Sequence, residues 1–390
     1  MTGSLAAGSV RHRHTTIAVD ADRPLITTPR HLQPGDVRQA EAARLARQPG
    51  LGLTGGLLFV VPFTVLFAFG AGGANGSVLV LAPLTTFALP VVAVIAFWWD
   101  DWPGTRLQRA WAGWADTVLV AIGAIVLTMA GQAATARLDL AGIFEPGAGP
   151  RHAATFPATM PLAGAAFVAV LQLTLACERW PLTRFSRTWS GVFALVIAWA
   201  MGLLLAWTVV TVTDPAGSAR THSGLMKGSD FGALMVITGM WQTVLFVVLH
   251  GWPLNAIRSR GLRLLANNAA VIGGALGTYW LLSAALGLAA DLISAACGCV
   301  IAGGLLVGML FDGWPRRAGR FGTLALVAVA AAVLFSVLTA FAGTVSWHRA
   351  TAADWVSYVG LNAIGLPVIL HVGIGRRWPF RSVSVPKEGI

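Results

Sequence analysis

The stretch SVLVLAPLTTFALPVVAVIAFWWDDWPGTRLQR, residues 77–109, decides the fold. Its first 23 residues carry no charge and are overwhelmingly apolar, which is enough to cross a bilayer as a helix. Then come two aspartates, a Trp-Pro pair and two arginines. Tryptophan favours the headgroup level, proline stops a helix, and arginine binds lipid phosphate and fixes topology. The segment reads as a membrane helix with its cytosolic exit attached.

The same exit recurs. Trp-Pro occurs at 102–103, 180–181, 252–253, 314–315 and 378–379, whereas 16 Trp and 19 Pro in 390 residues predict roughly one such pair by chance. WPGTRLQRAWAG (102–113) and WPLTRFSRTWSG (180–191) share Trp, Pro, Thr, Arg, Arg, Trp and Gly in register, and WPLNAIRSR, WPRRAGR and WPFRS keep the arginines. Two residues before each Trp stands a polar or ionisable group: Asp100, Glu178, His250, Asp312 and Arg376. The pattern predicts five tandem copies of a two-helix hairpin, each ending in Trp-Pro-Arg.

The rest of the chain agrees. It is 56% hydrophobic and only 11% charged, which excludes a single soluble domain, a disordered chain, a coiled coil and a collagen repeat. Apolar runs near 51–71, 77–99, 115–134, 160–178, 190–212, 231–250, 264–285, 291–312, 322–342 and 355–375 predict about ten transmembrane helices in an all-α, polytopic bundle. Internal prolines such as Pro62, Pro83, Pro90 and Pro367 are tolerated in packed membrane helices. Residues 1–50 read as a basic, largely disordered cytosolic tail with a short helix from Gly35 to Arg47. Residues 51–375 form the membrane domain, and residues 376–390 a second cytosolic tail. No signal peptide is expected at the N-terminus.

Of 27 Lys+Arg, 22 fall in the two tails and in the loops after the even-numbered runs. By the positive-inside rule both termini are cytosolic in a cell (inner) membrane, which requires an even number of spans. The net charge of +11 is then an arginine belt facing anionic lipids, not a nucleic-acid footprint.

Chemistry is sparse. Ionisable groups within spans are the usual functional flags. His371 lies two turns inside the cytosolic boundary and His250 near its surface, so a shared haem or metal site is disfavoured. Cys297 and Cys299 are i, i+2 on a helix and point apart. Asn267, Asn268, Asn362 and Gln242, with His371, are the candidate pathway residues, against the ordinary role of such groups as interhelical hydrogen bonds. Asp100, Glu178, His250, Asp312 and Arg376 are candidates for a cytosolic rim. Trp102, Trp180, Trp252, Trp314 and Trp378 are expected interfacial anchors. Gly273–Gly277 and Ala302–Gly308 read as close helix packing. No HExxH, Walker A, CxxC or GxSxG motif is present, so neither a catalytic residue nor a resident metal or cofactor is expected.

Three functions remain: a permease or channel-like transporter of a small solute; a membrane subunit or scaffold that docks a protein partner, a second copy or anionic lipid through its Arg/Trp face; and an intramembrane enzyme or cofactor-binding protein using His250 and His371. A transporter of two inverted halves fits a fivefold pattern poorly.

Overall fold

The computed structural model describes residues 41–107, 109–149, 151–212, 221–374 and 377. Most of the expected N-terminal tail, with Arg376 and Trp378, lies outside the described residues. Of the short helix expected at Gly35–Arg47, residues 41–46 are helical.

The main helices in chain order are α1 (Gly50–Phe69), α2 (Ala74–Trp98), α3 (Trp111–Thr135), α4 (Met160–Ala176), α5 (Arg187–Thr208), α6 (Gly228–Val248), α7 (Arg260–Trp280), α8 (Ala290–Leu310), α9 (Gly319–Ala342) and α10 (Ala352–Ile374). All except α4 and α7 are long and apolar enough to cross a membrane, which makes this a multi-pass membrane protein. Helix α4 is equally apolar but shorter. Helix α7 has Arg260, Arg263, Asn267 and Asn268 in its first turns, which dilute its hydropathy, and it runs on as a π-turn over Leu281–Ala285. Among the described residues the fold is all-α apart from a two-residue parallel pair, Val210–Thr211 with Met226–Lys227, and a single bridge between Val212 and His222.

The even and odd helices occupy different layers. Of the most apolar stretch, 78% is buried in α2 and α10 and 56% in α6 and α8, but only 28% in α1, α3 and α5 and 11% in α9. Helix α2 packs on α4, α4 on α6, α6 on α8, α8 on α10 and α10 back on α2, so the even helices form a closed inner ring. Each of α3, α5, α7 and α9 lies on the even helix before it, and α1 lies on α10. That last contact joins the first and last of these helices. Trp355 Nε1 donates to the Ala68 carbonyl (3.2 Å), Tyr358 Oη to Phe67 O (2.8 Å) and Thr64 Oγ1 to Ala363 O (2.9 Å). The outer helices leave large side chains such as Leu57, Trp111, Val196, Leu265 and Val333 exposed, as a lipid-facing surface requires.

Small residues set the closest approaches. Gly298 of α8 and Gly360 of α10 face each other: a Cβ on Gly360 would stand 3.0 Å from the Gly298 carbonyl carbon, and one on Gly298 3.2 Å from the Ser357 carbonyl oxygen. Gly303 meets the Val327 carbonyl of α9 in the same way, at 2.9 Å. With no hydrophobic drive between helices in lipid, such backbone proximity supplies the packing.

Every even helix ends alike. Its last turn widens into a π-turn: Val94–Trp98, Gln172–Ala176, Thr243–Val248, Leu306–Leu310 and Leu370–Ile374. An amide then reaches back six residues: Asp101 to Ile95, Arg179 to Leu173, Gly251 to Leu245, Gly313 to Val307 and Arg377 to His371, at 2.6–2.9 Å. The chain turns there through the left-handed region, with Asp100, Glu178, His250 and Asp312 at φ 49–52°. Left-handed residues commonly close helices because they satisfy the last carbonyls. The Trp-Pro bonds at 102, 180, 252 and 314 are cis.

Candidate functional site

The inner ring surrounds a partly open cavity of about 170 Å³. All five even helices line it, through Leu89, Val92 and Ala96 of α2, Phe167 and Leu171 of α4, Gly239 and Thr243 of α6, Ile301 and Leu305 of α8, and Leu361 and Ile369 of α10. Among the described residues, Thr243 is the one polar side chain on this wall away from the mouth. At the Trp-Pro end the lining changes character. Glu41, Arg44 and Leu45 of the segment before α1 lie across the mouth, together with His250 and Asp312.

Asp312 organises that mouth. Its side chain is 8% exposed, and its Oδ2 accepts from Arg377 Nη2 (2.8 Å) and Gln48 Nε2 (2.7 Å). Arg377 is itself buried and donates further to the carbonyls of Leu310 (2.9 Å) and Met309 (2.8 Å). Burial pushes the Arg377 guanidinium below its ordinary value, and Asp312 pulls it back up. Gln48 also donates to Leu310 O and accepts from Gly52 N. Arg44 approaches Asp312 more loosely, Nη2 to Oδ1 at 3.5 Å. Residues from before α1 and after α10 thus meet on the end of α8.

Two of the other candidate rim residues, Asp100 and Glu178, serve similar joints between neighbouring helix ends. Asp100 lies 3.6 Å from Arg187 at the start of α5, with both side chains well exposed. Glu178 accepts from Arg263 Nε (2.6 Å) and Nη2 (3.1 Å), and Arg260 stands at 3.6 Å, both at the start of α7. His250 is exposed at the mouth. The polarity of these positions was readable in the sequence. Their left-handed backbone, which suits short polar side chains such as Asp better than β-branched ones, was not.

None of the candidate pathway residues lines the cavity. Gln242 donates to Gln172 Oε1 (2.7 Å) and Val168 O (3.1 Å), and Gln172 donates to Asn268 Oδ1 (2.9 Å), a polar chain across α6, α4 and α7. Asn267 is buried and donates to Ala176 O at 3.3 Å. Asn362 donates to Thr86 Oγ1 (2.7 Å), tying α10 to α2. His371 is buried between α10 and α1, its ring stacked on Phe59 at 5.0 Å in space that any Cβ on Gly55 would occupy. His250 and His371 therefore belong to different neighbourhoods. Among the described residues no group of three or more His, Cys, Asp or Glu could hold a metal ion.

Of the expected anchors, Trp180 and Trp314 are exposed, and Trp102 and Trp252 are half-buried. Arg106 lies over the Trp102 ring at 5.8 Å and Arg320 over Trp252 at 5.1 Å, as cation–π pairs. On the far side of the bundle, the loop after α3 is held by Asp139. It accepts from the amides of Gly142 and Ala153 and pairs with His152 Nδ1 at 3.0 Å. The hydrogen bond from His152 and those from the two amides hold the Asp139 carboxyl down at about 2.

The cavity-lining residues escaped sequence reasoning because nothing distinguishes an apolar side chain facing a void from one facing a neighbour. Arg44 and Gln48 escaped it because no local signal links a tail to a loop more than 260 residues away. Compared with protein-family models, with characterised proteins and with solved structures, the chain matches none.

Proposed function

We propose that the protein is a permease for a small apolar or amphipathic molecule, built from five tandem hairpins that place ten spans in the membrane with both termini cytosolic. The apolar cavity lined by all five helices of the inner ring is the observation that carries this reading. A dry cavity of comparable size, about 150 Å³, binds benzene in a soluble protein. Ring closure and the shared helix ends support the repeat. The 22 of 27 basic residues assigned to one side support the orientation. The solute class differs from what intramembrane Asn and Gln alone suggest, because those residues join helices while the cavity wall is apolar.

The test is accessibility of the wall. Thr243→Cys is made with Cys177, Cys297 and Cys299 changed to Ser, and treated with small thiol reagents from either side of sealed vesicles. A permease predicts labelling from both sides, slowed by the transported solute. Labelling from the Trp-Pro side alone sinks transport and leaves a binding pocket. No labelling sinks the cavity as a site.

The second reading, a scaffold docking anionic lipid, is favoured by the arginines stacked on Trp102 and Trp252. It predicts that neutralising Arg106 and Arg320 weakens binding to anionic vesicles. Reporter fusions test the orientation: a periplasmic C-terminus would overturn it.

A further inference from the structure

Among the described residues, ionisable groups meet the cavity at one end only, and they are not equally satisfied. Asp312 already accepts from Arg377 and Gln48 at normal hydrogen-bond distances. Arg44 is different. Its contact with Asp312 is long, at 3.5 Å, and its buried Nε donates to no acceptor among the described residues. A buried N–H without an acceptor costs free energy that a bound acceptor recovers. The guanidinium fork matches a carboxylate or phosphate in two-point geometry.

Shape restricts what can carry that acceptor. The lining runs from Ile301 to Asp312 along α8, about 16 Å at the helical rise. The cavity, about 170 Å³, is walled by apolar side chains over that length and carries its cationic group at one end, a layout that suits one unbranched acyl chain with an anionic head.

We infer that the cavity binds a single-chain amphiphile with a terminal carboxylate, a medium-chain fatty acid, with its chain along the ring axis and its carboxylate on Arg44. The assignment rests on the cavity being a binding site, as proposed above, and adds the class of ligand. Glu41, one turn earlier on the same helix, opposes an anionic head, so neutralising it strengthens binding.

The experiment uses the full chain in lipid nanodiscs with two diazirine photoprobes, a decanoic acid and the matching decanol, and maps adducts by mass spectrometry. The acid is expected to label inner-ring residues such as Val92, Leu171 and Leu305. Arg44→Gln lowers that labelling at least tenfold and leaves the alcohol's unchanged. Arg44→Lys keeps a preference for the acid, Glu41→Gln raises acid labelling, and Ala96→Phe, which fills the cavity, removes both probes. Should Arg44→Gln lose both probes, Arg44→Lys decides: a retained preference for the acid supports the assignment, and none overturns it. Equal inner-ring labelling by acid and alcohol, unmoved by Arg44→Gln, overturns the carboxylate and leaves the cavity reading standing. Absence of inner-ring labelling by either probe overturns both.

Discussion

Replacing Asp312 by Ala tests the joint at the cavity mouth. The substitution removes the acceptor of Arg377 and Gln48 and leaves the Arg377 guanidinium buried without its counter-charge. Breaking a buried pair from one side costs about 3–5 kcal/mol, because the remaining charge is neither solvated nor matched. The bonds from Arg377 to the Leu310 and Met309 carbonyls offset part of this and place the expectation at the lower end, about 3 kcal/mol. Asp100→Ala is the control. Its pair with Arg187 is long and exposed, so the cost is at most about 1 kcal/mol. A third variant separates charge burial from packing. Asp312→Ala with Arg377→Met removes both charges and is expected to be no less stable than Asp312→Ala alone, since an apolar replacement of a buried pair is often neutral. Equilibrium unfolding in mixed micelles titrated with SDS measures all three. If Asp312→Ala and Asp100→Ala cost the same, or if the double variant is worse than Asp312→Ala, the joint is not the buried ion pair described.

Other predictions concern packing, polar links and pH. Gly360→Val puts side-chain atoms against the Gly298 backbone, and overpacking at such a contact costs about 1–3 kcal/mol, read in the same unfolding assay; no effect would mean that α8 and α10 do not approach so closely. Gln242→Leu and Asn362→Leu each remove one link between inner helices and cost about 0.6 kcal/mol, at most about 1.7, while a total loss of labelling at Thr243→Cys in either variant would instead give these residues a role in the pathway. Asp139 is held below its ordinary value, so it contributes order to its loop above pH 4, and that contribution is lost as pH falls through about 2. Amide protection at Gly142 and Ala153, corrected for intrinsic exchange, should fall across that window in the wild type and be low throughout in Asp139→Asn.

The class of protein was legible because lipid imposes a simple rule: a spanning helix must be long and apolar, and its exits carry tryptophan and arginine. Residues 77–109 show all of it, and α2 ends at Trp98 much as expected. The weaker helices were legible through the same exits: α4 is short and α7 polar at its start, yet each adjoins a Trp-Pro pair. The layering was not legible. Helices α2 and α9 have nearly the same hydropathy, 2.5 and 2.6, but 78% of one and 11% of the other is buried. Hydropathy records compatibility with an apolar surrounding and does not distinguish lipid from protein. The polar residues illustrate the converse. Asn268 and Gln242 stood out as isolated groups in apolar runs, and three-dimensional packing links them through Gln172.

A cryo-EM structure of the full chain in lipid nanodiscs tests the central claim most directly. The account predicts elongated non-protein density inside the ring of α2, α4, α6, α8 and α10, ending at Arg44, with α1 packed on α10. An inner ring filled by its own side chains, or an α1 separated from α10, would contradict it.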